Sequence, residues 1–169
     1  TKVGYPVVVK PDNGVGASST CKLKSDDELR RFLAEKEAHV SYIMEEFITA
    51  EVNSYDAIID SKGEPMFETG NVTPKSIMDV VNTGDNSIYY IVKDLPEDTR
   101  KAGRATVKSF GVKNRFVHFE FFRLTQARKN LGEVGDFVGL EVNMRPAGGY
   151  TPDMMNYAND IDVYQIWAD

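Results

Sequence analysis

In Gly139-Leu140-Glu141-Val142-Asn143-Met144-Arg145-Pro146, every second residue is polar or charged. A strand turns successive side chains to opposite faces, so Glu141, Asn143 and Arg145 share one face and Leu140, Val142 and Met144 the other. Upstream, Val117-His118-Phe119-Glu120-Phe121-Phe122 alternates the same way. Two such segments predict the last hairpin of the chain, over Arg115 to Leu124 and Phe137 to Met144. Its polar face concentrates carboxylates, an amide and a guanidinium. Such a face is costly unless something charged sits on it, and a divalent metal carrying phosphates meets that need.

Bulk properties bound the rest. The 169 residues suit one domain or slightly more, and 41% apolar residues suffice for a core. Twenty-six acids against twenty bases give a net charge of −6, which argues against a nucleic-acid partner. The single Cys21 excludes an intrachain disulfide and agrees with a reducing, cytoplasmic setting. No apolar run reaches transmembrane length, so no membrane partner is expected. The chain starts at Thr1 directly before a strand-like run, and we read it as a piece of a longer polypeptide.

Strands and helices are interspersed with hairpins, which predicts an α+β fold with mainly antiparallel sheets. Val7 to Lys10 reads as a buried strand, with Thr20 to Lys24 hairpinned to it. Ser25-Asp26-Asp27-Glu28 is a capping box that opens a helix to about Glu37, burying Leu29, Phe32 and Leu33. Strands are expected at Tyr42 to Phe47, Glu51 to Ile59, Pro65 to Asn71 and Ser87 to Val92. A helix from Pro96 ends before Gly111, and short helices begin near Thr151 and Asp160.

Three groups of residues bear on chemistry. Lys10 ends a strand just before the small-residue loop that holds Gly14, Gly16, Ala17, Ser18 and Ser19. Loop amides and one lysine can surround a polyphosphate; a lysine beside an ordinary hairpin turn is the alternative. The loop lacks the Gly-Lys-Ser/Thr of a P-loop and the third glycine of a dinucleotide fingerprint. Glu45-Glu46-Phe47-Ile48 is a strand edge able to offer backbone groups to adenine, with Glu51 placed for ribose hydroxyls; a solvated strand end is the alternative. Glu120, Glu141 and Asn143 are oxygen donors, which suit Mg²⁺ or Mn²⁺ rather than zinc. An exposed polar hairpin face is the alternative there. His118 lies on the face of Glu120 and is read as a satisfied neighbour rather than a ligand. Cys21 and Met154-Met155 are read as packing, and Trp167 as a core or interface residue.

Four stretches in order resemble the ATP-grasp superfamily: Gly4 to Pro11 with the glycine loop, Met44 to Ile48 with Glu51, Phe119-Glu120-Phe121, and Glu141 to Pro146. They are most similar to its carboxylate–amine ligase branch, which includes carbamoyl-phosphate synthase, biotin carboxylase and the amino-acid ligases. The resemblance implies an ATP-grasp fold of two small α+β subdomains holding ATP between them, residues 1–48 and 49–169. It implies that Lys10 contacts phosphates and that residues 14–19 close over them. Glu45, Glu46, Phe47 and Ile48 become the adenine hinge, Glu51 the ribose acceptor, and Glu120, Glu141 and Asn143 the Mg²⁺ (or Mn²⁺) ligands. Arg145, with Asn143, steadies the transferring phosphoryl group.

The implied activity forms an acyl phosphate from a small carboxylate and passes it to an amine, releasing ADP and phosphate. The other readings are an ATP-binding regulatory module without ligase activity and a plain interaction domain. Two departures stand out. The Thr125–Asp136 connection is long for the family, as an inserted hairpin loop would be. A preceding domain of the same polypeptide is expected to supply another lysine and part of the acceptor site, so the chain alone is expected to be inactive. A homodimer is left open.

Overall fold

The computed structural model describes residues 3–13, 20–74 and 88–169, which divide after Thr49 into two compact units.

The first unit is a three-stranded antiparallel sheet under one helix. Its elements are β1 (Val7–Pro11), β2 (Cys21–Leu23), α1 (Asp26–Glu35) and β3 (Tyr42–Glu46), with sheet order β2-β1-β3. Val7, Val9 and Leu23 are buried, and Leu29, Phe32 and Tyr42 pack on them. The Ser25 hydroxyl accepts the Glu28 amide at 3.3 Å, while the Glu28 carboxylate reaches the Lys24 amide at 2.7 Å. These bonds satisfy donors that have no partner inside a helix, so α1 starts where the capping box predicts. It ends earlier than expected, at Glu35. Leu33, expected on the buried face, is 53% exposed. A sheet three strands wide is filled by Leu29 and Phe32, and a side chain at the rim stays in water.

The second unit is a six-stranded antiparallel sheet. It contains β4 (Ala50–Ile59), β5 (Pro65–Thr69), β6 (Asn71–Thr73), β7 (Tyr90–Ile91), β8 (Arg115–Leu124) and β9 (Phe137–Asn143). The order is β7-β6-β4-β8-β9, with β5 sharing the β6 edge of β4. The strand expected over Pro65 to Asn71 is divided at Gly70, where a Cβ would lie 2.4 Å from the Ser54 carbonyl oxygen. Of the strand expected over Ser87 to Val92, only Tyr90–Ile91 pairs among the described residues.

Helix α2 (Glu97–Phe110) begins after Pro96 and ends on Gly111, which is left-handed at φ 60°. It covers one sheet face, where Tyr55, Ala57, Ile59, Val117, Phe119 and Phe121 form a core with Val107 and Val112. Helices α3 (Thr151–Asn159) and α4 (Val163–Ala168) cover Ile58 and Phe116 on the opposite face through Met155 and Val163. Trp167 meets Phe116 edge-on. The antiparallel α+β architecture agrees with the sequence expectation. Among the described residues no helix is long and apolar enough to cross a membrane.

Candidate functional site

The long β8–β9 connection does not separate the two strands. The Leu124 amide donates to Asp136 O at 2.9 Å, the Gly135 amide to Leu124 O at 2.8 Å, and a small bridge joins Arg128 and Gly132. The insertion is therefore pinched at its base, and β9 leaves it already paired with β8. One register shift follows: Phe121 pairs with Gly139 but Glu120 with Glu141, so Leu140 is the extra residue of a bulge.

Register across three strands then builds two polar rows. Ser54, Glu120 and Glu141 stand in one, and Asp56, His118 and Asn143 in the next. Both lie on the same sheet face as Ile58 and Phe116, because these residues are spaced by two along each strand. Burial falls along the rows. Asp56 is fully buried, Glu120 keeps 23% of its side-chain exposure, and Glu141 is exposed.

The buried carboxylate is held from two sides. Ser54 Oγ donates to Asp56 Oδ2, and Ser54 Oγ in turn accepts the Asn71 amide at 2.8 Å. His118 Nδ1 lies 2.8 Å from Asp56 Oδ1, and its Nε2 lies 3.4 Å from Glu120 Oε1. Each ring nitrogen faces a carboxylate, which calls for the doubly protonated imidazolium. Burial opposes that charge, but Asp56 and Glu120 outweigh it and push His118 up to about 10. With both nitrogens engaged, His118 is a satisfied neighbour, as its sequence position suggested.

A pH dependence follows for the metal-free protein. The folded-state value lies above the ordinary 6.5, so this contribution to stability is complete below about pH 6.5 and is lost as pH rises through about 10. Denaturation of the wild-type protein should show stability falling by a few kcal/mol, at most about 4, between pH 7 and 10. His118→Gln should flatten that slope. An equal slope in both proteins would refute the assignment.

The exposed end of the rows has polar groups without partners among the described residues. Among the described residues the Glu141 carboxylate makes no hydrogen bond or ion pair, and Asn143 Nδ2 is buried without a partner. Arg145 donates to the Pro146 carbonyl at 2.9 Å and forms no ion pair among the described residues. No group of three or more His, Cys, Asp or Glu side chains among them is arranged to hold a metal. Two facing carboxylates and an amide do fit Mg²⁺, which takes one or two carboxylates and fills its octahedron with water and phosphate oxygens.

The first unit presents a second set of residues. On the face opposite its core, Lys10 pairs with Glu45 at 2.6 Å. Lys22 is the cross-strand partner of Val8, so it shares that face, and its ammonium lies 3.3 Å from the Phe47 ring centre. The Phe47 amide donates to Pro6 O at 3.2 Å, so any nucleotide bonds from this edge fall to its other backbone groups. Glu46 and Ile48 are half-buried beside it. Glu51 belongs to the second unit, where it pairs across β4–β8 with Arg123. Gly14, Gly16, Ala17, Ser18 and Ser19 lie outside the described residues.

Sequence reasoning missed Ser54, Asp56 and Lys22. The signal for Asp56 was present: an acid inside Tyr55-Asp56-Ala57-Ile58-Ile59 must be paired or pay heavily for burial.

Comparison with solved structures places this architecture. An L-amino acid ligase from Bacillus licheniformis superposes with a TM-score of 0.73 at 20% identity, covering 99% of this chain and 39% of that one. D-alanine–D-alanine ligase from Bacillus anthracis gives 0.66 at 20% identity, covering 99% and 54%. The biotin carboxylase domain of the Hydrogenobacter thermophilus 2-oxoglutarate carboxylase, in complex with MgADP and bicarbonate, gives 0.61 at 16%, covering 91% and 34%. The chain has the ATP-grasp fold. It spans about two fifths of the amino acid ligase chain and about half of the D-alanine–D-alanine ligase chain. No family model and no curated protein sequence matches it. The ATP-grasp expectation from four short stretches therefore agrees with the structure at the level of fold.

Proposed function

We propose that this chain is the ATP- and Mg²⁺-binding part of an ADP-forming, cytoplasmic carboxylate–amine ligase, organised as subdomains 1–48 and 49–169. The observation that carries the reading is the cross-strand pair Glu120–Glu141, followed by Asn143 and Arg145, on an ATP-grasp fold. The named solved structures are ligases and a carboxylase domain, and one of them was solved with MgADP. In this reading Glu120, Glu141 and Asn143 hold Mg²⁺, which supplies charge neutralisation at the phosphates. Arg145, which pairs with no carboxylate among the described residues, steadies the charge of the moving phosphoryl group. Lys10 turns from Glu45 to a phosphate. An exposed ion pair of this kind is worth about 1 kcal/mol or less, so the exchange is cheap. Residues 14–19 contribute amides, residues 45–48 the adenine edge and Glu51 the ribose contact. The acceptor carboxylate and amine are assigned to the remainder of a longer polypeptide.

Calorimetry with Mg-ATP tests the reading. The wild-type chain should bind ATP in a metal-dependent way, and Glu141→Gln should remove the metal dependence while the circular dichroism spectrum stays unchanged. Unaltered Mg-ATP binding in that variant would make the metal assignment wrong. In the full polypeptide, ADP release that requires both a carboxylate and an amine separates a ligase from a nucleotide-binding module.

A further inference from the structure

We propose that Asp56 and His118 are positioning residues that orient Glu120 for the metal. This inference rests on the functional reading above and assigns work to residues which that reading leaves idle.

The argument starts from a buried charge. Asp56 and His118 form a buried pair between β4 and β8, where two apolar side chains of similar volume would serve stability as well or better. Its placement is instead tied to a continuous line of contacts. The Asn71 amide holds Ser54, Ser54 holds Asp56 Oδ2, Asp56 Oδ1 holds His118 Nδ1, and His118 Nε2 pairs with Glu120 Oε1. The line begins on backbone in β6 and crosses β4 to reach β8. A partly exposed glutamate otherwise loses considerable rotamer freedom when it binds a metal. Here one oxygen already lies 3.4 Å from His118 Nε2, and the other remains for a ligand.

His118 holds Glu120 without offering a nitrogen of its own as a ligand, since both its nitrogens are engaged. Carboxylates and imidazoles behind a metal ligand commonly set its orientation, and their loss weakens metal affinity by about 10- to 100-fold.

Two substitutions separate positioning from mere support. The amide of His118→Asn falls near the Nδ1 position and reaches Asp56 alone. The amide of His118→Gln falls near Nε2 and reaches Glu120 alone. Mn²⁺ titration by electron paramagnetic resonance, in the presence of ATP, should show affinity reduced about tenfold or more in His118→Asn and kept within about threefold in His118→Gln. Both variants should lose thermal stability to a similar degree, so affinity should not follow stability. Equal affinities in all three proteins, or losses that simply track stability, would overturn the relay while leaving the ligase reading intact. Absence of Mn-ATP binding by the wild-type chain would overturn both.

Nitrogen-15 spectra of the wild-type histidines carry the same test without a variant, should His118→Asn fail to fold. Mg-ATP should shift the Nε2 resonance of His118 while exposed His39 stays unchanged; an unmoved Nε2 would overturn the relay.

Discussion

Asp56→Ala should lower stability by about 3–5 kcal/mol, the range seen when one partner of a buried ion pair is removed. Two side chains depend on this carboxylate. His118 Nδ1 loses its acceptor at 2.8 Å, the Ser54 hydroxyl loses the oxygen it donates to, and the imidazolium is left beside Glu120 alone. Both sit on or beside β4, which pairs with β5, β6 and β8. No solvent compensates, because Asp56 is fully buried and Ser54 is 1% exposed. Urea denaturation followed by circular dichroism measures the loss. A double-mutant cycle with His118→Ala should return a coupling of about 1–3 kcal/mol. A loss below about 1 kcal/mol would mean that the buried pair contributes little.

Gly103 is the second sensitive position, and its effect runs against helix propensity. In the middle of α2, alanine should stabilise by about 1 kcal/mol over glycine. A Cβ there, however, would stand 2.1 Å from the Tyr55 ring. That ring cannot step aside. It is fully buried, it stacks on Phe119 at 6.1 Å, and its hydroxyl donates to Glu68 Oε2 at 2.9 Å. Glu68 is itself held by Arg100 and Arg104. Overpacking of this kind costs about 1–3 kcal/mol and sometimes more, and a clash this deep belongs at the upper end. Gly103→Ala should therefore lose about 2 kcal/mol net and lower Tm by about 4–8 °C. Gly103→Leu should not reach the native fold. A raised Tm in Gly103→Ala would show that α2 can lift away from the sheet, contrary to this packing.

How much was legible in advance depends on how local the determinant is. The span of β8, the start of α1 at Ser25 and the end of α2 at Gly111 each depend on residues within a few positions, and all three were readable. Leu33 was misread because helical spacing shows which side of α1 is apolar but not how wide the sheet beneath it is. The division of the Pro65–Asn71 segment depends on the Ser54 carbonyl, sixteen residues before Gly70. Asp56 carried a warning in its apolar setting, yet its partner lies 62 residues away.

The polar face of β9 marks the boundary between the two kinds of information. Alternation alone placed Glu141 with Asn143 on one side of a strand, because the backbone turns successive side chains to opposite faces whatever the strand pairs with. It could not say which residues of β8 stand across from them. That was decided by the pinched Thr125–Asp136 connection and the bulge at Leu140, which set the register at which the two strands meet. A shift of one residue would have turned Glu141 to the opposite face of the sheet from Glu120. The sequence supplied the residue types; long-range hydrogen bonds, which no local pattern encodes, brought the two carboxylates together and set His118 and Asp56 in the neighbouring row.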